Sequence, residues 1–421
     1  MRRRSEKRVV ITGLGPVTPA GLGRHEFWRR VRSGASATRS LEELPGGFPV
    51  DTLRSRVVAR VTEPVAGPPP VSPGDRRRLL GELALRFALD DAGLEAGELR
   101  QAAMVLGNAV GAPLAVETLF RGLEATGWAP DGPDVAAAEL LRQMSFHSLA
   151  HELATAHGCR GEVLTLSTGC TAGIDAVGTA FEMVRDGQTR LAIAGAAEAP
   201  LTPIVYAAFD LIGALSRRND DPEHASRPFD AERDGFVLAE GAAFLVLEER
   251  ERARARGAHV YAEIGGYASV SNSYHMTNLP ADGSDLAHCV TAALADAGLA
   301  PDAIDFVNAH GSSTPQNDLC EINALKQALG RRAGSIAVNS LKGMIGHALG
   351  AANAIEIAAC ALALDEQFLF PTINLDRPGA GCDLDYVANV GRPADLTHLA
   401  KLSSGFSGIH SVLVMTAAEV V

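Results

Sequence analysis

Basic residues are scarce in this chain, which carries 38 Lys and Arg against 50 Asp and Glu and has a formal net charge of −12. An acidic surface repels a polyanion, so the composition argues against a nucleic-acid partner. Long apolar runs are also absent: the apolar stretch at 358–363 is soon followed by Asp365 and Glu366, too early for a membrane span. We therefore expect neither nucleic acid nor a membrane among the partners.

Paired cysteines are missing as well. The six cysteines contain no Cys-x-x-Cys motif and no disulfide-like spacing; they stand at positions 159, 170, 289, 320, 360 and 382. This pattern is typical of a reducing compartment. The basic residues near the N-terminus precede a short strand rather than the apolar core of a signal peptide. We therefore expect a cytoplasmic protein.

Aromatic residues make up only 5% of the chain, whereas glycine occurs 43 times and hydrophobic residues reach 47%. Few large side chains and many glycines favour a closely packed α/β protein with many tight strand-to-helix turns. A length of 421 residues allows two or three domains and a large core.

The segment around Cys170 is the most informative part of the sequence. Residues 162–166 are typical of a short buried strand, and after Cys170 the small and apolar residues take helical spacing. The cysteine is therefore predicted to lie on a tight strand-to-helix turn, where Gly169 and Gly173 permit an unusual backbone. The N–H groups and dipole of a helix N-terminus favour a thiolate and can bind a developing oxyanion. This is a suitable position for a nucleophile.

Two histidines occupy similar positions downstream. His310 ends the apolar strand at 305–310 and precedes a turn rich in Gly and hydroxyl residues, and His347 lies between the strand at 335–339 and the apolar helix at 351–359. A single histidine at the end of an apolar strand is most often a core residue. Two histidines and a cysteine, all on strand–turn–helix junctions, instead indicate one catalytic site.

With these features the sequence resembles the β-ketoacyl synthases, the condensing enzymes of fatty-acid and polyketide synthesis, from residue 8 to residue 415. Within that family it is most similar to the catalytic ketosynthase subunit of bacterial type II polyketide synthases. The segments that carry this similarity are STGCT at 167–171, RNDDPEHASRPFD at 218–230 and RDGFVLAEG at 233–241.

The resemblance implies the site residues. The family's catalytic set corresponds to Cys170, His310, His347, Lys342 and Glu321, with Lys342 and Glu321 fixing the orientation and charge of the rings. The acyl oxyanion site and gate loop correspond to Gly405, Phe406, Ser407 and Gly408. The pantetheine-binding positions correspond to Ser312 and Thr314, and the acyl-pocket position to Phe209.

The resemblance also implies the reaction. Cys170 takes an acyl group from an acyl carrier protein, and decarboxylation of a malonyl carrier protein supplies the carbanion that extends it by two carbons. The substrates travel on the carrier's phosphopantetheine arm, and no other cofactor or metal is expected. Backbone N–H groups of Cys170 and Phe406 would bind the acyl oxyanion, and His310 and His347 the malonyl oxyanion.

Internal repetition indicates the fold. Residues 163–187 and 336–366 both pass from a strand through a small-residue turn into a long apolar helix, and the strands at 102–108 and 304–310 form a second repeated pair. The resemblance implies an α/β, thiolase-like fold of two duplicated halves in five layers (αβαβα). We expect an N-terminal half at 1–257 with Cys170 and a C-terminal half at 258–421 with His310 and His347.

The implied partners are an acyl carrier protein and a second subunit, either a chain-length factor paralogue in a heterodimer or, as the alternative, a second copy in a homodimer. Carrier proteins are acidic, so docking on this acidic chain needs local basic patches. The candidates are Arg76, Arg77, Arg78, Arg217 and Arg218. These arginines could equally belong to a solvated face.

Two departures from the family pattern affect the expected mechanism. The gate loop reads Gly-Phe-Ser-Gly, and Ser407 restricts a backbone φ angle that glycine would leave free. Residue 343, after Lys342, is glycine where a serine is usual.

Other functions fit the sequence less well. The alternatives within the fold are a housekeeping fatty-acid synthase homodimer and a non-catalytic chain-length factor, which lacks the cysteine. A thiol hydrolase is a third alternative, but it would need water access. The Gly13–Gly15 turn lacks the third glycine of a dinucleotide site. The group of His147, His151, Glu152 and His157 lacks the register of a zinc site.

Overall fold

Eleven strands form one large mixed sheet in the computed structural model, which describes residues 7–43, 48–62, 76–125 and 142–418. Ten of them follow one another across the sheet, and the short strand Gly21–Leu22 pairs only with the first strand of the chain. The first five are β1 (Val9–Thr18), β2 (Ala103–Gly107), β3 (Val163–Leu166), β4 (Leu191–Glu198) and β5 (Gly241–Glu249). The second five are β6 (Ala262–Ser271), β7 (Phe306–Asn308), β8 (Ala337–Asn339), β9 (His398–Gly405) and β10 (Ile409–Ala417). Short strands lie at Gly21–Leu22, Arg39–Ser40, Val57–Ala59, Leu238–Ala239, Phe368–Leu369 and Arg392–Pro393.

Strand order repeats between the two sets of five. The order across the sheet is β3-β2-β4-β5-β1 followed by β6-β10-β9-β7-β8. In the first set, β3, β2 and β4 are parallel, and β5 runs antiparallel to both of its neighbours. In the second set, β8, β7 and β9 are parallel, and β10 runs antiparallel to both of its neighbours. The sets join where β1 and β6 pair antiparallel, with Val9 opposite Ile264. This repeated topology is the duplication that the sequence predicts.

The helices of the described residues complete the layers. They are α1 (Gly23–Ser33), α2 (Arg76–Ala92), α3 (Pro113–Ala125), α4 (Ser148–Ala156), α5 (Ala172–Arg185), α6 (Pro203–Leu211), α7 (Arg250–Ala255), α8 (Ser284–Asp296), α9 (Pro315–Leu329), α10 (Lys342–Ile345) and α11 (Ala352–Asp365). None of them is both long and apolar enough to cross a membrane.

Successive side chains along a strand point to opposite faces of the sheet, so the buried residues form separate cores between the layers. In β2, Val105 faces one core and Met104 and Leu106 face another, as the two-residue period of a strand requires. The central core holds α5 and α11 between strands of both sets. Helices α2 and α4 cover the outer face of the first set, and α8 and α9 that of the second. The result is the five-layered, thiolase-like fold expected from the resemblance.

The predicted boundary between residues 257 and 258 lies between α7 and β6. It stays a prediction, although the repeated strand order also changes from one set to the other there. The first six residues of the basic N-terminal segment lie outside the described part of the chain.

Candidate active site

Cys170 lies on the turn that joins β3 to α5. The strand ends at Leu166, a 3-10 turn spans Gly169–Thr171, and α5 begins at the next residue. Gly169 has a φ of 65°, a left-handed conformation that glycine adopts at little cost. The cysteine therefore sits at the start of a helix, as the sequence predicts.

Burial makes this cysteine a thiol at rest. Desolvation raises the pKa of Cys170 to about 11, although the charge of Lys342 and the backbone N–H groups of Phe406 and of Cys170 itself lower it. Buried Glu198 raises this pKa further. The backbone N–H groups lower the pKa of Cys170, as expected at a helix N-terminus, but desolvation outweighs them and the net shift is upward. The nucleophile must be formed by proton transfer during the reaction.

The two predicted histidines come together beside this cysteine. The ring centroids of His310 and His347 are 5.1 Å apart with an interplanar angle of 82°. His310 follows β7, and His347 is held by its backbone N–H, which donates to the Val237 carbonyl at 2.8 Å. Burial and the charge of Lys342 lower the pKa of each histidine well below 6.5. Both imidazoles are therefore neutral at pH 7, and each can donate one hydrogen bond.

Two lysines share one carboxylate beneath the histidines. Lys342 Nζ lies 2.5 Å from Glu356 Oε1, and Lys401 Nζ lies 2.8 Å from Glu356 Oε2. Lys342 also donates to the His310 carbonyl at 2.7 Å. All three charged groups are buried. Both lysines lower the pKa values of His310 and His347, which favours neutral imidazoles.

Glu321 holds the backbone of His310 rather than its ring. Its carboxylate accepts the His310 N–H at 2.6 Å, the next residue's N–H at 2.7 Å and the Asn317 side-chain amide at 2.9 Å. Burial raises its pKa to about 7. The expectation that Lys342 and Glu321 together fix the rings is wrong in this respect. Lys342 pairs with Glu356, a residue that the sequence analysis did not single out.

The three central residues open on one cavity of about 370 Å³. The predicted acyl-pocket residue Phe209 lines it and packs edge-on against Phe236, with ring centroids 5.6 Å apart. Ser312 and Thr314 also line it, and their hydroxyl oxygens are 2.9 Å apart. Phe406 closes part of the wall, with its ring centroid 6.3 Å from that of Phe209. The cavity therefore combines an apolar part with hydroxyl groups suited to a polar arm.

The predicted gate loop packs on a second loop, at 272–279. Ser407 adopts a φ of 69°, in the left-handed region that favours glycine, and its N–H donates to the Met276 carbonyl at 2.6 Å. Gly408 lies against Asn272, where a Cβ atom would stand 1.8 Å from the side-chain oxygen. Of the loop, Gly405 and Phe406 line the cavity. The effect of Ser407 on loop motion stays a prediction.

The first predicted docking cluster is not a free basic patch. Arg77 is only 1% exposed, so the prediction is wrong for this residue. Arg76 donates to Glu240 at 2.6 Å, and Arg78 forms an ion pair with Glu152 at 3.2 Å. Acidic neighbours therefore neutralise the two partly exposed arginines, and a carrier protein would gain little from them.

The second docking cluster lies near the cavity. Arg217 is exposed, and Arg218 pairs with Glu232 at 2.9 Å. Ala214, three residues before Arg217, lines the cavity. A docking role for this pair stays a prediction.

The histidine group that the sequence analysis rejected as a metal site lies on and around α4. His157 binds Glu82 at 2.9 Å, and His147 and His151 are exposed. No group of three metal-ligating side chains lies together in the described ranges.

Known proteins resemble this chain over nearly its whole length. Residues 6–253 match the beta-ketoacyl synthase N-terminal domain, and residues 261–376 match the C-terminal domain. The chain is 42% identical over 423 residues to the tetracenomycin polyketide synthase ketoacyl synthase alpha subunit of Streptomyces glaucescens, covering 99% of this chain and 98% of that protein.

Two solved structures share the fold at high similarity. One is a type II polyketide synthase acyl carrier protein in complex with its ketosynthase bound to the hexaketide: the TM-score is 0.91 at 41% identity, covering 98% of this chain and 100% of that chain. The other is the ishigamide ketosynthase/chain length factor, with a TM-score of 0.89 at 32% identity and the same coverage.

A thiolase-like fold that joins a partly buried cysteine and two neutral imidazoles in one cavity defines an acyl-transferring enzyme. With both domain matches, the chain belongs to the beta-ketoacyl synthase family. Within that family it is a type II polyketide ketosynthase alpha subunit, an acyltransferase that performs chain elongation.

Proposed function

We propose that Cys170 accepts the growing acyl chain from an acyl carrier protein and that a malonyl carrier protein then lengthens it by decarboxylative Claisen condensation. The observation that carries the proposal is the single cavity that unites Cys170 with His310 and His347. Both substrates would arrive as thioesters on the phosphopantetheine arm of the carrier. The reaction as proposed uses no further cofactor.

In the first half-reaction the Cys170 sulfur attacks the thioester carbonyl, and the carbon–sulfur bond to the carrier breaks. Because the thiol is protonated at rest, its proton leaves through a neutral imidazole and reaches the departing carrier thiolate. The N–H groups of Cys170 and Phe406, which both act on the Cys170 sulfur, are placed to receive the oxyanion.

In the second half-reaction the malonyl carboxylate leaves as carbon dioxide, and its bonding electron pair becomes an enolate. His310 and His347 would each donate a hydrogen bond to the enolate oxygen, which suits imidazoles held neutral by burial. The enolate carbon attacks the acyl group on Cys170, the carbon–sulfur bond breaks, and the Cys170 thiolate takes up one proton from solvent. The product is a β-ketoacyl chain two carbons longer.

Selective labelling tests the nucleophile. Brief treatment with a chloroacetamide should modify Cys170 first, because it lines the cavity whereas the other five cysteines are buried. Since its pKa is raised to about 11, the labelling rate should increase roughly tenfold per pH unit between about pH 7 and 9. Peptide mapping identifies the labelled residue, and faster modification of any other cysteine would contradict the proposal.

We also propose that the chain works as a heterodimer with a chain-length factor paralogue. The support is a sheet edge: among the described residues, β3 has a sheet neighbour on one side only, which is β2, and Val163, Leu164 and Leu166 are half-buried. An uncovered edge strand favours pairing with another chain. Exposed apolar residues occur on α3, on α6 and just before α4, and include Phe120, Ile204, Met144 and Phe146.

Co-expression should distinguish the heterodimer from the homodimer of the fatty-acid alternative. With the paralogue we expect a one-to-one complex in native mass spectrometry and full elongation activity. Expressed alone, the chain should aggregate or form a weakly active homodimer, since its apolar edge is then covered poorly. A monomer, or a homodimer that is fully active without a partner, would refute the heterodimer.

We further propose that the acyl carrier protein docks beside Arg217 and Arg218, since this pair lies near the cavity.

A cytoplasmic location is the last part of the proposal. All six cysteines are free thiols, which suits a reducing compartment.

A further inference from the structure

A buried carboxylate lies directly behind the nucleophile turn. Asp175 is 3% exposed and occupies the first turn of α5. Its Oδ2 accepts the Thr171 hydroxyl at 2.7 Å and also the Thr168 hydroxyl. Its Oδ1 accepts the Tyr267 hydroxyl at 2.8 Å and the Ser411 hydroxyl at 2.5 Å. One carboxylate therefore binds four hydroxyl groups.

The four hydroxyl groups come from both sets of strands. Thr168 and Thr171 flank Cys170 on the turn that follows β3. Tyr267 belongs to β6, and Ser411 to β10, shortly after the gate loop. Each carboxylate oxygen thus serves one side: Oδ2 holds the nucleophile turn, and Oδ1 holds the strands of the second set.

The packing of Tyr267 depends on a glycine in α5. A Cβ atom at Gly178 would lie 2.4 Å from the Tyr267 ring, so the ring crosses the helix where there is no side chain. This close approach brings the tyrosine hydroxyl to Asp175. The contact is therefore part of the way the second set of strands docks on α5.

The docking geometry matters because the acyl oxyanion site is also divided. One N–H donor, from Cys170, belongs to the first set, and the other, from Phe406, belongs to the second. The two segments pack closely: a Cβ atom at Gly405 would stand 3.6 Å from the Cys170 nitrogen. An error of about 1 Å between groups that act together can cost about a hundredfold in rate.

We propose that Asp175 is a positioning residue that keeps the Cys170 and Phe406 N–H groups in register by binding hydroxyls of both sets of strands. The inference rests on the proposed function, in which these two N–H groups receive the acyl oxyanion. Malonyl decarboxylation uses the two imidazoles instead. Asp175 should therefore affect acylation of Cys170 and spare malonyl decarboxylation.

The test compares the two half-reactions in the complex with its paralogue. Asp175→Ala leaves four hydroxyls without their acceptor, and we expect acylation of Cys170 by acyl carrier protein to slow about a hundredfold. Decarboxylation of malonyl carrier protein should stay within about threefold of wild type, since its oxyanion is bound by other groups. Asp175→Asn keeps one acceptor oxygen and should recover most of the acylation rate. Single-turnover mass spectrometry and carbon dioxide release measure the two rates.

Two milder variants keep the test decisive if Asp175→Ala does not fold. Tyr267→Phe and Ser411→Ala each remove one donor from the second set and should slow acylation several-fold, again with decarboxylation retained. Thr12→Val is the matched control, because Thr12 donates to buried Glu248 at 2.5 Å within the first set of strands. It should lower the melting temperature and leave both rates unchanged.

The outcomes separate this inference from the proposed function. The role of Asp175 is overturned if the variants lose Cys170 acylation and malonyl decarboxylation equally, or if all of them acylate Cys170 at the wild-type rate. A wild-type complex whose Cys170 takes no acyl group instead overturns the proposed function itself.

Discussion

Cys170→Ala is expected to abolish elongation and to leave malonyl decarboxylation close to the wild-type rate. The substitution removes the acyl acceptor but keeps the cavity and both imidazoles. The decarboxylation oxyanion is proposed to depend on His310 and His347, whose rings meet at 5.1 Å beside the cysteine. Removal of the Cys170 sulfur leaves the hydrogen-bond donors of both imidazoles in place.

Two assays on the same complex check this result. Elongation is followed by mass spectrometry of carrier-bound products, and decarboxylation by release of carbon dioxide from malonyl carrier protein. Cys289→Ala is the matched control, because Cys289 is buried and its thiol donates hydrogen bonds to the carbonyls of Ala268 and His410. It should keep both activities. A Cys170→Ala variant that still elongates would show that the acyl chain is carried elsewhere.

The general fold and the three central residues could be predicted from the sequence. The strand-to-helix turn at Cys170 depends on local signals, namely an apolar strand, Gly169 and a helical run of small residues. His310 and His347 also follow strands of the sheet. His310 and His347 follow the neighbouring strands β7 and β8, which are parallel and therefore end at the same edge. Cys170 follows β3 in the other set of strands, and the packing of the two sets brings it to the same cavity.

The supporting charges could not be predicted, because burial and pairing depend on tertiary contacts. Glu356 lies in the apolar helix α11 and Lys401 in the mostly buried strand β9. A charged residue in such surroundings is a signal in itself, since its burial requires a partner. The arginines at 76–78 show the reverse error: a basic run was predicted to face a partner, yet Arg77 is buried and its neighbours pair with Glu240 and Glu152.

The net pKa of Cys170 could not be predicted, for the same reason. A helix N-terminus favours the thiolate locally, but desolvation depends on everything packed around the sulfur. The neutral state of the histidines follows from the same burial and from Lys342. The site is thus set up at rest as a thiol beside two hydrogen-bond donors.

His310→Ala and His347→Ala are each expected to reduce malonyl decarboxylation by roughly a hundredfold or more, the scale for losing one oxyanion donor. In wild type the rate should stay flat as the pH falls through 6.5, because both pKa values lie well below that value and the rings remain neutral.

The His310→Ala and His347→Ala variants need a control in which an imidazole ring is removed outside the cavity. His398→Ala serves, because His398 binds Thr416 at 3.0 Å and does not line the cavity. It should decarboxylate at the wild-type rate. If either cavity variant also does so, the imidazoles do not bind the enolate oxygen. A wild-type rate that falls as the pH drops through 6.5 would mean that the reactive ring titrates there. The neutral pair imposed by burial and by Lys342 would then be the wrong description of the site.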